Sequence, residues 1–307
     1  MAESPAVDTL RSMLQSPVTA EEPLARHTSF RIGGPADLFV LVQSTRDLGR
    51  ALRFASERKL PVHLLGGGTN ILAADEGLRG LVCKLDGEFK EVVWEGPRVT
   101  AGAAVSMVGL ARRATDLGFS GLEFATGIPG TLGGAVVMNA GTYLGCLADV
   151  LHRVWLMDGD GHLEERGKEA MGLGYRTSVL QREPRYVCKV GMELTPGGAS
   201  TLTATVKEHL ERRAATQPLS YPNAGSVFKN PPGDYAGRLI EAVGAKGWRQ
   251  GGAMVSPLHA NFIVNTGNAT ARDVLGLMDR VRTAVRERFG VELEPEIKIW
   301  SAGGSTA

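Results

Sequence analysis

This sequence has no excess of charge of one sign, no paired cysteines and no long apolar run. Its 34 Lys and Arg stand against 33 Asp and Glu, a formal net charge of +1 over 307 residues. Gripping a phosphate backbone takes a concentrated surplus of basic side chains, so no nucleic acid is expected as a partner. Cys83, Cys146 and Cys188 are far apart in apolar surroundings, with no CxxC and no Cys/His spacing. They are expected to be buried reduced thiols, and no metal site is expected. No stretch approaches the ~18–20 apolar residues that span a bilayer, and the first twenty residues hold no apolar signal core. The expectation is a cytoplasmic protein without membrane insertion. Aromatics make up only 6%, yet 43% hydrophobic and 22% charged residues fit an ordinary globular chain. At ~100–200 residues per domain, two or three compact units are expected.

Glycine is what the sequence has in plenty. There are 40, clustered at 66–68, 127–134 and 251–252. Because glycine costs backbone entropy, such clusters mark places where φ must be positive or the chain must approach a ligand closely. Around them the pattern predicts strands at 37–42 and 61–65 on either side of a helix at 45–58, capped by Ser44 or Thr45. Short strands follow over 79–105, then a helix at 106–117 closed by Gly118. Residues 121–145 show little periodicity and read as a long loop. A hairpin turns about Asp158-Gly159-Asp160-Gly161, and a strand follows at 186–194. Beyond a break at Pro196-Gly197-Gly198 come helices at 201–215, 236–243 and 271–289, and strands at 261–265 and 291–300. The longest helix is capped by Thr270, closed by Gly290 and striped by Val274, Leu277, Met278, Val281 and Val285. Period two in the last strand places Glu292, Glu294, Glu296 and Lys298 on one face. The predicted organisation is 1–85, 86–200 and 201–307.

Gly66, Gly67, Gly68, Thr69 and Asn70 follow an apolar strand, which suits a nest of N–H groups around an anion. This is neither a Walker loop nor a GxGxxG fingerprint, and a tight structural turn explains it equally well. Gly127, Ile128, Pro129, Gly130, Thr131, Gly133 and Gly134 form a second such loop. Together the two fit a dinucleotide held by main-chain groups.

Five segments in order carry a resemblance: the 66–70 loop, residues 121–145, Gly174-Tyr175-Arg176-Thr177-Ser178, Gly225-Ser226-Val227-Phe228-Lys229-Asn230-Pro231, and Leu293-Glu294-Pro295-Glu296. Across nearly the whole chain they resemble the UDP-N-acetylenolpyruvoylglucosamine reductase family. The resemblance implies a mixed α+β and α/β fold. Residues 1–85 and 86–200 would form an FAD-binding fold of the vanillyl-alcohol-oxidase type in two subdomains, and residues 201–307 a C-terminal α/β substrate domain. It also implies non-covalent FAD at both glycine loops, NADPH as reductant and a UDP-sugar as the other partner, in a monomer. His27 and His63 are then structural histidines. The segments between Arg176, Ser226 and Glu296 are short, so the chain resembles the variant without the inserted tyrosine loop, and what caps the substrate is open.

On their own residue types, Arg176 reads as a surface ion pair, Ser226 as a turn residue and Glu296 as one acid on a solvated strand. The resemblance gives them roles. Adding hydride to a vinyl ether leaves negative charge on the α-carbon and its carboxylate, which calls for fixed positive charge and a proton donor. Arg176 would polarise the carboxylate through its fork. Ser226 would protonate the α-carbon. Glu296, with a raised pKa, would act as an acid beside that charge. Tyr143, Lys229 and Asn230 are the candidate substrate contacts. Another flavin oxidase of the same superfamily would explain the glycines but not Arg176, Ser226 and Glu296 in context, and a non-catalytic nucleotide sensor would not need them.

Overall fold

The computed structural model describes residues 5–301 and 304–306. The chain divides into two compact units. One comprises residues 1–22, 37–67 and 80–211; the other comprises 23–36, 68–79 and 212–307.

In the first unit, a four-stranded sheet runs in the order Val18–Pro23, Pro35–Val42, Leu78–Leu85, Val62–Leu65. Its last pair is parallel, with Val62 opposite Leu81. A parallel neighbour needs a crossover. Helix Thr45–Glu57 provides it, with Ser44 accepting from the Asp47 N–H as N-cap and Leu48, Ala51, Leu52, Phe54 and Ala55 buried. A second, five-stranded sheet is wholly antiparallel, ordered Leu163–Gly167, Leu151–Met157, Tyr186–Glu193, Arg98–Gly102, Val92–Glu95. Helix Met107–Asp116 is capped by Ser106 and followed by Gly118 at φ 74.

The second unit is built on helix Ala271–Phe289. Thr270 and Asp273 close a capping box at its start, Gly290 ends it at φ 67, and the expected five-residue stripe is buried. That stripe packs with Phe228, Leu239 and Ile240 in one core. Strands Arg249–Gln250, Ala253–Val255 and Ile263–Asn265 form a small antiparallel sheet. Strand Ile71–Ala73 pairs in parallel with Lys298–Ser301.

Four expectations are corrected. Residues 121–145 are not all loop, because helix Leu132–Met138 lies within them. Helix Pro5–Met13 and strand Val18–Pro23 were not expected at all. The last strand is only Lys298–Ser301. Before it, a proline without an N–H at 295 leaves one bridge, Phe228 to Pro295. The period-two face still survives in part, since Leu293 and Ile297 are buried, Glu292 and Glu294 exposed, and Glu296 half-buried. Finally, Cys146 is only half-buried, at the end of a tight hairpin. Burial pushes the thiols of Cys83 and Cys188 up to about 12.

Candidate active site

In the first unit, which holds Gly66 and Gly67 of the first glycine loop, Gly66 meets Thr131 of the second. A Cβ at Gly66 would stand 2.5 Å from Thr131 Oγ1. Both residues line a cavity of about 300 Å3 with Leu65, Ala103, Gly133 and Gly134. The second loop is held from below: Gly130 O accepts from the Met107 N–H at 3.1 Å, and Ala103 O accepts from the Gly133 N–H at 2.9 Å. Gly133 and Gly134 belong to helix Leu132–Met138, a correction to the loop reading. Gly133 packs closely on Ala103: a Cβ there would lie 3.0 Å from Ala103 Cβ. Tyr186 lines the same cavity, and burial together with the Cys83 thiol pushes its hydroxyl up to about 12, so it stays a neutral donor. His63 is buried in strand Val62–Leu65, and burial holds its pKa below the ordinary value.

Arg176 also belongs to this unit. Gly174 and Thr177 exchange backbone hydrogen bonds of 3.1 and 3.3 Å, so Tyr175 and Arg176 form the middle of a tight turn. Arg176 takes φ 55, uncommon for a residue with a Cβ. Its carbonyl accepts from Gln181 Nε2 at 3.0 Å, and the same amide donates to Val137 O at 3.0 Å. Arg176 Nη2 donates to Gly141 O at 3.0 Å. Asn139, left-handed at φ 41, ties the parts together: its Nδ2 donates to Gly174 O and its Oδ1 accepts from the Ala148 N–H, both at 2.9 Å. Tyr143 sits at the tip of the hairpin formed by Gly141–Thr142 and Gly145–Cys146.

The second unit carries the remaining candidates. Val227 O accepts from the Glu296 N–H at 2.8 Å, and Glu294 O accepts from the Lys229 N–H at 2.9 Å. Ser226 and Glu296 therefore lie on adjoining antiparallel segments. Asn261 grips the serine segment from the other side, donating through Nδ2 to Phe228 O at 2.8 Å and accepting the Phe228 N–H through Oδ1 at 3.0 Å. Asn70 grips the glutamate segment, its Nδ2 donating to Glu296 O at 3.1 Å and its carbonyl accepting from the Lys298 N–H at 2.8 Å. The asparagine expected to hold a cofactor thus also fixes the backbone of a candidate catalytic acid.

Lys229 Nζ pairs with Glu294 Oε2 at 3.2 Å. Lys298, which the motifs did not single out, is half-buried, and burial followed by repulsion from Lys229 lowers its pKa. Asn230 Oδ1 accepts from the Ala236 N–H at 3.1 Å, at the start of helix Ala236–Ala242. His259 Nδ1 accepts from the Asn261 N–H at 3.2 Å, and burial lowers its pKa, so it supports Asn261 as a neutral ring.

Gly68 is glycine for an internal reason. It has φ +63, and a Cβ there would fall 2.0 Å from His27 O. Gly68→Ala is expected to cost about 3 kcal/mol or more, from an unfavourable φ and a backbone clash together. Thermal melting checks this; an unchanged midpoint would mean that the turn can relax.

The backbone anchors Asn139, Gln181 and Asn261 were missed from sequence.

A family model for an FAD binding domain matches residues 36–167, and one for the UDP-N-acetylenolpyruvoylglucosamine reductase C-terminal domain matches residues 217–300. A Symbiobacterium thermophilum protein named UDP-N-acetylenolpyruvoylglucosamine reductase 2 is 52% identical over 97% of this chain and 97% of its own length. The chain belongs to the UDP-N-acetylenolpyruvoylglucosamine reductase family. A Moorella thermoacetica relative of that name is 49% identical over 96% of this chain and 97% of its own. The crystal structure of the Thermus caldophilus reductase superposes with a TM-score of 0.82 at 38% identity, covering 93% of this chain and 99% of that one. The family consists of FAD-dependent oxidoreductases, and the fold class implied by the sequence motifs holds. The residues present fit FAD: Gly66, Gly133 and Gly134 bring main-chain groups to the cavity, and Val62, Leu65, Ala103 and Val187 give it an apolar wall, which admits part of a dinucleotide.

Proposed function

We propose that this chain reduces the enolpyruvyl double bond of UDP-N-acetylglucosamine enolpyruvate to give UDP-N-acetylmuramate. NADPH is the reductant, and the enzyme works as a cytoplasmic monomer in peptidoglycan precursor synthesis. No helix among the described residues is long and apolar enough to cross a membrane. Residues 1–85 and 86–200 take the FAD, through Gly66, Gly67, Gly68, Thr69, Asn70 and the 127–134 segment; residues 201–307 serve the UDP-sugar. NADPH and the sugar use the site in turn.

Beyond family membership, the observation that carries this reading is the pairing of Val227 with Glu296, which places Ser226 beside the glutamate segment of the same unit. When bound, FAD would supply the two-electron redox chemistry that links NADPH to the enolpyruvyl double bond. Negative charge that develops on the α-carbon and carboxylate is stabilised by the Arg176 guanidinium, whose plane is set by its bond to Gly141 O. Ser226 Oγ gives its proton to the α-carbon. Glu296 holds a proton on its carboxyl group and donates to the same charge. Tyr143, Lys229 and Asn230 contact the UDP-sugar.

Glu296→Gln keeps a donor but no transferable proton. Its kcat is expected to drop roughly a hundredfold, and full activity would remove Glu296 from the reaction. The reading as a whole is tested by anaerobic absorbance. Flavin bands that bleach with NADPH and return with the enolpyruvyl sugar support it; bands that bleach and stay bleached overturn the substrate.

A further inference from the structure

Helix Ala199–Thr216 buries only Leu202 and His209 among its 18 residues. Val206 and Leu210 are half-buried beside them. A helix normally docks through an apolar stripe, so an imidazole at one of its two most buried positions calls for a polar reason. His209 is 6% exposed, and its Nδ1 stands 3.3 Å from the Tyr143 hydroxyl. The two rings are 5.5 Å apart and tilted by 52°. Tyr143 itself is 61% exposed at the tip of its hairpin. Its hydroxyl end is held while most of the ring stays open to a ligand. The same hairpin, at Gly141, carries the oxygen that Arg176 grips.

We propose that His209 is a positioning residue, which fixes Tyr143 through its hydroxyl so that the tyrosine ring meets the UDP-sugar in one pose. This rests on the reading of Tyr143 as a substrate contact. A tyrosine at a hairpin tip samples several rotamers, and one anchored at its far end binds without that ordering cost. The pair supplies a tethered aromatic contact in a chain whose motifs lack the inserted tyrosine loop. The effect belongs to binding, so it appears in the KM for the UDP-sugar and not in kcat.

The test is steady-state kinetics at saturating NADPH with the UDP-sugar varied, on the FAD-loaded enzyme and its variants. Tyr143→Phe and His209→Gln are each expected to raise KM about two- to tenfold, the size of one neutral hydrogen bond, with kcat within about twofold. The double variant should be no worse than the worse single one. His209→Asn, whose amide reaches the place of Nδ1, should recover most of the loss. Multiplying effects, or a fall in kcat at unchanged KM, would show that His209 merely packs its helix. If Tyr143→Phe leaves KM unchanged, the substrate contact and the inference both fall. If it raises KM while His209→Gln does not, only the inference falls. The wild-type enzyme gives a readout that needs no folded His209 variant. The imidazole 15N resonance of His209 should shift when the UDP-sugar binds and stay still in Tyr143→Phe, and a resonance unmoved in the wild type overturns the proposal.

Discussion

Ser226→Ala should leave flavin reduction by NADPH close to the wild-type rate and slow reoxidation by the UDP-sugar by ~10²–10⁴, the usual worth of a placed proton donor. The expectation of an intact fold comes from where the local backbone gets its support. Gly225 takes φ 79, and its N–H goes to Asn223 Oδ1 at 2.9 Å. Asn223 O accepts from Ser29 Oγ at 2.6 Å, and the two following residues are held by Asn261 and by the glutamate segment. None of these bonds uses the Ser226 hydroxyl, so the thermal midpoint should move by no more than about 0.5 kcal/mol of stability. Separate half-reactions make the test sharp. A variant slowed equally in both halves would show a general disturbance of the site, and Ser226 would lose its role as donor. Lys229, three residues on, gives the hydroxyl little help, because Glu294 at 3.2 Å already offsets its charge.

How much of this was readable depends on where each residue finds its partners. Helix Ala271–Phe289 was predicted to the residue because its capping box, apolar stripe and closing glycine all lie within or beside it. Helix Leu132–Met138 was missed because seven residues with two glycines carry almost no period. The last strand was drawn too long because alternation reports which side chains are buried, not which N–H groups find a ladder, and Pro295 has none to offer. The site divides in the same way. Arg176, Ser226 and Glu296 were found through motifs. The side chains that fix their backbones act across long separations: Asn261 reaches Phe228 over 33 positions, and Asn70 reaches Glu296 over 226. No local pattern encodes such a bond.

Arg176 offers the clearest separation of function from fold, through two substitutions. At φ 55 the residue pays roughly 1 kcal/mol of backbone strain, which glycine would not. Arg176→Gly releases that strain but loses the bond to Gly141 O and the ring contact with Tyr175, where the guanidinium lies 5.3 Å from the centroid. A bond from a charged donor is worth about 1.5 kcal/mol at the low end of its range, so the two changes largely offset one another and the melting temperature should move only slightly. Gln181 and the Gly174–Thr177 pair hold the turn in either case, since they bond backbone atoms. Activity should behave quite differently. Removing a charged donor aimed at a developing anion costs about 10²–10³ in kcat, and Arg176→Gly is expected to lose at least that much in the reoxidation half-reaction. Arg176→Lys keeps the charge but not the planar fork, and should fall between, roughly tenfold to a hundredfold below wild type by the same scale. Measuring kcat beside the melting curve decides the matter. A stable protein with that order of rates makes Arg176 a group that acts on the substrate, whereas an activity loss that follows a falling midpoint makes it a support of the turn.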